Sequence, residues 1–174
     1  MIGSPFLFAN EHLSTGVAMR KLILFLATGF YSGYAPFAPG TAGSVVGLVL
    51  AWGVTVPLER RSPLAALALI AALFAAGCWL SGRAEKLLDQ HDSSHIVIDE
   101  IVGMALTMYL CPAASWMAFG AGFALFRLFD VLKPEPAGLI DRRMRGGLAV
   151  MLDDVAAAIY ANLVLRALVL LVSL

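Results

Sequence analysis

The chain alternates long apolar stretches that lack charged residues with short segments in which the charged residues gather. The charge-free stretches cover residues 44–58, 63–81, 101–126 and 155–165, and the last continues apolar to residue 174 with one interruption. A charged side chain at the centre of a bilayer costs about 2.5–3.5 kcal/mol, so such stretches indicate membrane helices. The pattern therefore predicts an all-α fold, a polytopic membrane bundle with about four to six membrane-embedded helices, some of them short or re-entrant.

The stretch 101–126 predicts a helical hairpin rather than one helix. It is too long for one untilted helix across a hydrocarbon core of about 30 Å, and Pro112 interrupts it near its middle. Each arm would have about 12–15 residues, or roughly 20 Å of helix, which leaves open whether the pair spans fully or is re-entrant. Either geometry places both ends of the hairpin on one face of the membrane.

Composition supports a membrane protein and argues against nucleic-acid binding. The chain is 60% hydrophobic and 14% charged, with a mean hydropathy of +0.86, whereas soluble domains are about 25% charged. The formal net charge is zero and the 12 basic residues form no stripe that could follow a nucleic-acid backbone. The two cysteines lie in apolar segments without CxxC spacing, so we expect them to be buried as small hydrophobic residues.

The predicted helices place most basic residues on one side of the membrane. The positive-inside rule makes that side the cytoplasm. Residues 1–20 are expected to be a poorly ordered segment, and residues 21–174 a single membrane-embedded domain. The basic residues assigned to the cytoplasmic side are Arg83, Lys86, Arg127, Lys133, Arg142, Arg143 and Arg145, with Arg20 and Lys21, whereas Arg60, Arg61 and Arg166 fall on the other side.

Two pairs of adjacent carboxylates each precede an apolar helix. Asp99 and Glu100 lie in DSSHIVIDEIVG, residues 92–103, and Asp153 and Asp154 lie in RGGLAVMLDDVAAA, residues 145–158. One acid would suffice to cap a helix, and two adjacent carboxylates repel each other unless a cation neutralises them. The pairs therefore favour a site for a divalent cation. His91 and His95 flank the first pair, but we expect them to be interfacial residues rather than ligands.

Two further segments carry groups suited to phosphate. GFALFRLFDVLKPEPAGLIDRR, residues 122–143, places Arg127 and Asp130 about one helical turn apart, although a simple ion pair between them is an alternative. PFAPGTAGS, residues 36–44, precedes a charge-free helix whose first amides are suited to an anion. No GK[ST] follows this glycine-containing turn, so it is not a Walker A loop.

These clusters converge on metal-assisted hydrolysis of a phosphomonoester carried by a lipid. A cation-coupled or proton-coupled transporter is the alternative class, but such a protein needs acids along an ion path, and no predicted helix has one at its middle. A CDP-alcohol phosphotransferase would show a longer aspartate-rich motif around DGxxAR, which the sequence lacks.

Together, the four motifs resemble the phosphatidylglycerophosphatase A family over residues 29–158, in family order. The resemblance implies a bacterial inner-membrane enzyme, with its site facing the cytoplasm, that uses Mg²⁺ to hydrolyse phosphatidylglycerophosphate to phosphatidylglycerol and phosphate. The family pattern carries over onto Asp99, Glu100, Arg127, Asp130, Lys133, Pro134, Pro136, Asp141, Arg142, Gly146, Gly147, Asp153 and Asp154.

On this basis each candidate residue receives an expected role. Mg²⁺ would be held by Asp99, Glu100, Asp153 and Asp154, and the catalytic groups would be Asp99, Asp130 and Asp154. The expected substrate-binding residues are Thr41, Ser44, Arg127, Lys133 and Arg142. The sequence leaves open whether a metal-activated water or an aspartate attacks the phosphorus, and it leaves the oligomeric state open.

Overall fold

The structure, a computed structural model, describes residues 5–90, 93–112, 115–135, 137–144 and 146–172, without the side chains of residues 5–15 and 140–142. Within these ranges the chain is helical and has no β-strand. A short 3-10 turn, Ser32–Tyr34, follows the first helix, and a π-helical turn, Ala51–Thr55, joins α2 to α3. The α-helices are α1 Pro5–Ala27, α2 Pro39–Leu50, α3 Val56–Arg61, α4 Pro63–Leu88, α5 Ile98–Met108, α6 Trp116–Leu132, α7 Ala137–Arg143 and α8 Gly147–Val172.

Within the described residues, three helical rods are long and apolar enough to cross a membrane. They are Pro39–Arg61, which joins α2 to α3 through the π-helical turn, and the helices Pro63–Leu88 and Gly147–Val172. Each exceeds the roughly 20 residues that a helix needs to cross the hydrocarbon core. The predicted all-α membrane bundle is confirmed.

The short helix α5 lies at the centre of the bundle, and most of its residues after Glu100 are buried. Glycines allow neighbouring helices to approach closely. A Cβ at Gly47 of α2 would lie 2.8 Å from both the Ile101 Cα and the Met104 Cβ of α5, and a Cβ at Gly147 of α8 would collide with the backbone of α4. Small residues at such crossings are typical of membrane helices, because packing rather than the hydrophobic effect holds them together.

The predicted hairpin is present, with α5 and α6 as its arms, and its turn begins at Tyr109. The backbone N–H of Leu110 donates to Glu59 Oε2 at 2.9 Å, and the Tyr109 hydroxyl donates to the Pro63 carbonyl at 3.2 Å. The tip of the hairpin therefore lies at the same end of the bundle as the α3–α4 turn. The Asn162 amide donates to the carbonyls of Thr107 (2.8 Å) and Tyr109 (2.6 Å), which satisfies polar groups at the end of α5.

Several predicted boundaries were wrong, in most cases because charge was read as the end of a helix. Helix α4 continues to Leu88, past the end of the charge-free stretch at residue 81, and α6 continues past Arg127 to Leu132. Helix α8 begins at Gly147, so its two aspartates lie inside the helix. Charged residues mark where a helix leaves the hydrocarbon core, and the helix itself can continue into the interface.

The N-terminal segment was expected to be poorly ordered. In the structure the first helix, Pro5–Ala27, begins inside that segment and continues into the expected domain. The division of the chain at residue 20 stays a prediction.

Candidate active site

Three carboxylates meet where the N-terminal turn of α5 packs against the second turn of α8. Asp99, Glu100 and Asp154 each offer an oxygen, and these oxygens all lie within 4.8 Å of one another. We call this group the carboxylate cluster. It brings together three of the four predicted metal ligands from two segments about fifty residues apart in sequence.

The carboxylate cluster is partly buried, and each of its residues has a buried oxygen without a partner. Asp99 Oδ1, Glu100 Oε2 and Asp154 Oδ2 are buried atoms without a hydrogen-bond partner in the structure. Burying a carboxylate without compensation is costly, so such groups either take up protons or bind a cation. Protonation or a cation is therefore needed to stabilise the carboxylate cluster.

Helix α5 is not one of the three spanning rods. The two acids in its first turn have raised pKa values. Burial raises the pKa of Asp99 well above its ordinary value, and the charges of Glu100 and Asp154 raise it further. Burial also raises the pKa of Glu100, and the nearby Asp130 adds to this shift, whereas a hydrogen bond with Asp99 and the charge of Arg127 oppose it. Without a cation, the pair holds protons more tightly than ordinary carboxylates do.

Arg127 borders the carboxylate cluster near the C-terminal end of α6. Its Nη1 donates to Asp130 Oδ2 at 2.5 Å and lies 3.9 Å from Glu100 Oε1. Asp130 also lies within hydrogen-bonding contact of Asp154. The expected ion pair between Arg127 and Asp130 is present, and the same two residues connect α6 to the carboxylate cluster.

The N-terminus of α2 packs against the same group. A Cβ at Gly40 would collide with Glu100 Oε1 and lie 3.1 Å from Arg127 Nη1. Ala38 at the N-cap offers no side-chain hydrogen bond, and Pro39 has no N–H. The amides of Gly40 and Thr41 thus begin the helix beside the carboxylate cluster, in the arrangement that favours anion binding.

Ser44 lies inside the protein, where its hydroxyl bonds to its own helix. Its side chain is fully buried, and its hydroxyl donates to the Gly40 carbonyl at 2.9 Å. Position 44 lies one turn further along α2 than Gly40, on a side that packs inside the protein. The contact of Ser44 with substrate stays a prediction, and the side chain of Thr41 is half-buried near the helix start.

Asp153 and Lys133 form a separate pair beside the carboxylate cluster. Lys133 Nζ donates to Asp153 Oδ2 at 2.7 Å. Adjacent residues of a helix point about 100° apart, so Asp154 faces the carboxylate cluster while Asp153 faces Lys133. The structure does not bring Asp153 into the group of three carboxylates, and its role as a metal ligand stays a prediction.

A tyrosine that the sequence did not single out fixes the loop after Lys133. The Tyr160 hydroxyl donates to the Glu135 carbonyl at 2.5 Å, and its ring lies 5.7 Å from that of Phe129. The contact joins α8 to the segment that carries Lys133. No signal in the sequence distinguishes this tyrosine from others at a membrane surface.

Some of the candidate residues from the sequence lie outside the described residues or away from the carboxylate cluster. The side chains of Arg142 and Asp141 lie outside the described residues, as do Pro136 and His91. His95 Nδ1 is 2.9 Å from the Gly33 carbonyl, and its ring stacks on Tyr34 at 4.6 Å, away from the carboxylate cluster. Cys78 and Cys111, both partly buried, are not joined by a disulfide.

A sequence profile and two known proteins with similar sequences carry the same description. A sequence profile of the family described as Phosphatidylglycerophosphatase A matches residues 25–169. The Phosphatidylglycerophosphatase A of Haemophilus influenzae is 40% identical over 151 residues, which cover 87% of this chain and 91% of that protein. The Escherichia coli K12 protein of the same description is 35% identical over 135 residues, covering 77% and 76%.

A third relative is described differently. A protein of Bacteroides thetaiotaomicron, assigned provisionally as a phosphatidylinositol-3-phosphatase, is 35% identical over 144 residues, covering 80% of this chain and 89% of that protein. No solved structure matches this chain significantly. The profile match over most of the chain, with two relatives of the same description, shows that the protein is a member of the phosphatidylglycerophosphatase A family.

Proposed function

We propose that this protein hydrolyses phosphatidylglycerophosphate to phosphatidylglycerol and inorganic phosphate, as a step of phospholipid biosynthesis. One observation carries the proposal: three carboxylates, each with a buried oxygen that lacks a hydrogen-bond partner, meet beside Arg127 and the N-terminus of α2. Acids that bind a cation, an arginine and free helix amides are together the groups that hydrolysis of a phosphomonoester requires. The choice of phosphatidylglycerophosphate as the substrate rests on the family to which the protein belongs.

We propose Mg²⁺ as the cation, held by Asp99, Glu100 and Asp154. The donor set fits, because it consists of oxygens only and three of them lack any other partner. Bound there, the ion would polarise the phosphate and offset the charge that builds up during hydrolysis. Asp153 is a less direct candidate, since it accepts a hydrogen bond from Lys133.

The protein's own groups complete the proposed mechanism. Arg127 and the amides of Gly40 and Thr41 bind phosphate oxygens, because they border the carboxylate cluster from two different helices. Lys133 reaches the same phosphate from the side of Asp153, and Arg142 is a further phosphate ligand in the proposal. These groups stabilise the additional negative charge of the transition state.

Asp130 is placed to orient the attacking water. It is held by Arg127 and lies against Asp154, so its carboxylate is fixed at the edge of the carboxylate cluster. In the proposed step, water forms a bond to phosphorus, the bond from phosphorus to the glycerol oxygen breaks, and Asp130 accepts the proton from water. Asp130 then gives this proton to the leaving glycerol oxygen, which becomes the hydroxyl of phosphatidylglycerol. Direct attack by a carboxylate is the alternative route.

The proposed location is the bacterial inner membrane, with the carboxylate cluster at the cytoplasmic face. Four basic residues lie at the end of the bundle that carries this cluster, namely Arg127, Lys133 and, near the end of α4, Arg83 and Lys86. Arg60 and Arg61 lie at the α3–α4 turn with the hairpin tip. The excess of basic residues at the first end supports a cytoplasmic orientation.

Phosphate release by purified protein in mixed micelles tests the function. Phosphatidylglycerophosphate should release phosphate with Mg²⁺ and not with a chelator. It should also react far faster than phosphatidylinositol 3-phosphate, the headgroup in the description of the Bacteroides relative, and than soluble glycerol 3-phosphate. Equal rates on glycerol 3-phosphate would contradict recognition at the membrane surface. Cation flux into liposomes without phosphate release would favour the transporter instead.

A further inference from the structure

An apolar groove continues from the candidate active site along two of the helices that form it. On α2 and the π-helical turn after it, Thr41, Val45, Leu48, Val49 and Trp52 follow one another at the spacing of a single helix face. This stripe begins beside the carboxylate cluster, where Gly40 contacts Glu100.

A second stripe faces the first from α6. Asp130, Arg127, Phe123, Phe119 and Trp116 recur every three or four residues, and they also define one helix face. This stripe changes from charged residues at the carboxylate cluster to aromatic residues below it. Both helices thus change from polar to apolar in the same direction.

The lower parts of the two stripes enclose a cavity of about 250 Å³. Five residues, all apolar, line it: Leu48, Val49, Trp52, Trp116 and Phe119. The rings of Trp52 and Trp116 lie 5.7 Å apart and close the end of the groove that is remote from the carboxylate cluster. Val49 is 61% exposed, so the groove is open on the side that faces lipid.

The length of the groove matches one leaflet of the bilayer. Trp52 lies twelve residues beyond Gly40 along α2, a distance of about 18 Å, and Trp116 lies eleven residues from Arg127 along α6, about 17 Å. Half of a hydrocarbon core of about 30 Å is roughly 15 Å. A lipid whose phosphate is at the carboxylate cluster would therefore extend one acyl chain to the tryptophans.

We propose that this groove binds one acyl chain of the diacyl lipid whose phosphate is hydrolysed, an inference that rests on the proposed function. Transfer of a chain from surrounding lipid into the groove gains little hydrophobic free energy, because lipid tails are as apolar as the groove. The groove instead fixes the position of the lipid, so that its phosphate lies against Arg127 and the carboxylates.

A bulky residue in the groove tests the proposal. Val49→Trp places an indole on an exposed position about 13 Å along α2 from Gly40, in the part of the groove where an oleoyl chain makes more contacts than a six-carbon chain. The measurement is kcat/KM for dioleoyl and dihexanoyl phosphatidylglycerophosphate in the same detergent. We expect at least about a tenfold loss on the dioleoyl lipid, since small misplacements of a reacting group are costly, and little change on the dihexanoyl lipid.

Two control variants separate the groove from other lipid-facing positions. Val164→Trp makes the same substitution on the exposed surface of α8, away from the groove, and should keep the wild-type ratio of the two rates. Ala76→Trp fills a different apolar cavity of about 270 Å³ between α1, α2, α4 and α5, and should also keep that ratio.

Three results would overturn the proposal. Equal losses in Val49→Trp and Val164→Trp would mean that ordinary bilayer lipid fills the groove. A chain-length effect in Ala76→Trp alone would place the chain in the other cavity. If the wild-type protein releases no phosphate from either lipid, the proposed function has failed and the groove proposal fails with it.

Discussion

Gly40 at the start of α2 lies so close to the Glu100 carboxylate on α5 that any side chain at position 40 would collide with it. The same Cβ would lie 3.1 Å from Arg127 Nη1. The lack of a side chain at Gly40 therefore leaves room for both the Glu100 carboxylate and the Arg127 guanidinium. This contact assigns a steric reason to a glycine in a turn that, from sequence alone, was only a weak indication of anion binding.

Gly40→Ala should therefore lower activity while the protein stays folded. Alanine favours a helix over glycine by about 1 kcal/mol, and the atom that must move is the flexible end of Glu100. Displacing that carboxylate should lower kcat by at least about tenfold. The measurement is phosphate release together with the melting temperature in detergent.

Gly120→Ala is the matched control for this substitution. Gly120 lies in α6, and a Cβ there would meet nothing within 4 Å. Wild-type kinetics in both alanine variants would show that the contact at Gly40 has no bearing on catalysis.

Lys133→Met should weaken binding of the phosphate without weakening binding of the cation. Lys133 donates to Asp153, which is outside the group of three carboxylates. We expect kcat to fall about 10²-fold, as when one donor to a developing charge is removed, with an unchanged dependence on Mg²⁺ concentration.

The double variant Lys133→Met with Asp153→Asn separates this role from a structural ion pair. Removing one partner of a partly buried pair destabilises the protein, and removing both relieves that effect. Recovery of activity in the double variant would mean that Lys133 serves only to neutralise Asp153.

The sequence predicted which residues gather but not how each is rotated. Asp99, Glu100 and Asp154 could be placed at one end of the bundle because charge is excluded from the hydrocarbon core. Which of Asp153 and Asp154 faces the carboxylate cluster depends on how α8 is rotated against α4 and α5. Close contacts at glycines determine this rotation. The burial of Ser44 could not be predicted for the same reason, since it follows from how α2 packs.

Contacts between distant segments were also beyond prediction. The hairpin turn could be placed from Pro112 and the length of its apolar stretch, and the structure confirms it. The hydrogen bonds of Asn162 to the end of α5 and of Tyr160 to Glu135 depend on helix packing in three dimensions. Periodicity along one helix carries no information about such pairs.

The orientation of the bundle predicts which positions react with a reagent that cannot cross the membrane. In a background without Cys78 and Cys111, cysteines at positions 60 and 143 should be labelled from opposite sides, with 133 on the same side as 143. Arg60 and Arg143 are both exposed in the structure, so each should be accessible. Labelling of positions 60 and 143 from the same side would contradict the topology.

The central claim is that the carboxylate cluster performs catalysis rather than capping α5. Val97, not an acid, occupies the N-cap of α5, and Asp99 Oδ1 and Asp154 Oδ2 have no hydrogen-bond partner. Asparagine keeps the shape of aspartate, and at a helix end its cost in stability is a few tenths to about 1 kcal/mol. Asp99→Asn and Asp154→Asn should therefore insert and purify normally.

The most direct test is the rate of phosphate release from phosphatidylglycerophosphate by these two variants at saturating Mg²⁺. Each should lose at least about 10²-fold in kcat, equivalent to about 2.7 kcal/mol of transition-state stabilisation. Near-wild-type rates in well-folded Asp99→Asn and Asp154→Asn proteins would contradict the assignment of the active site to these carboxylates.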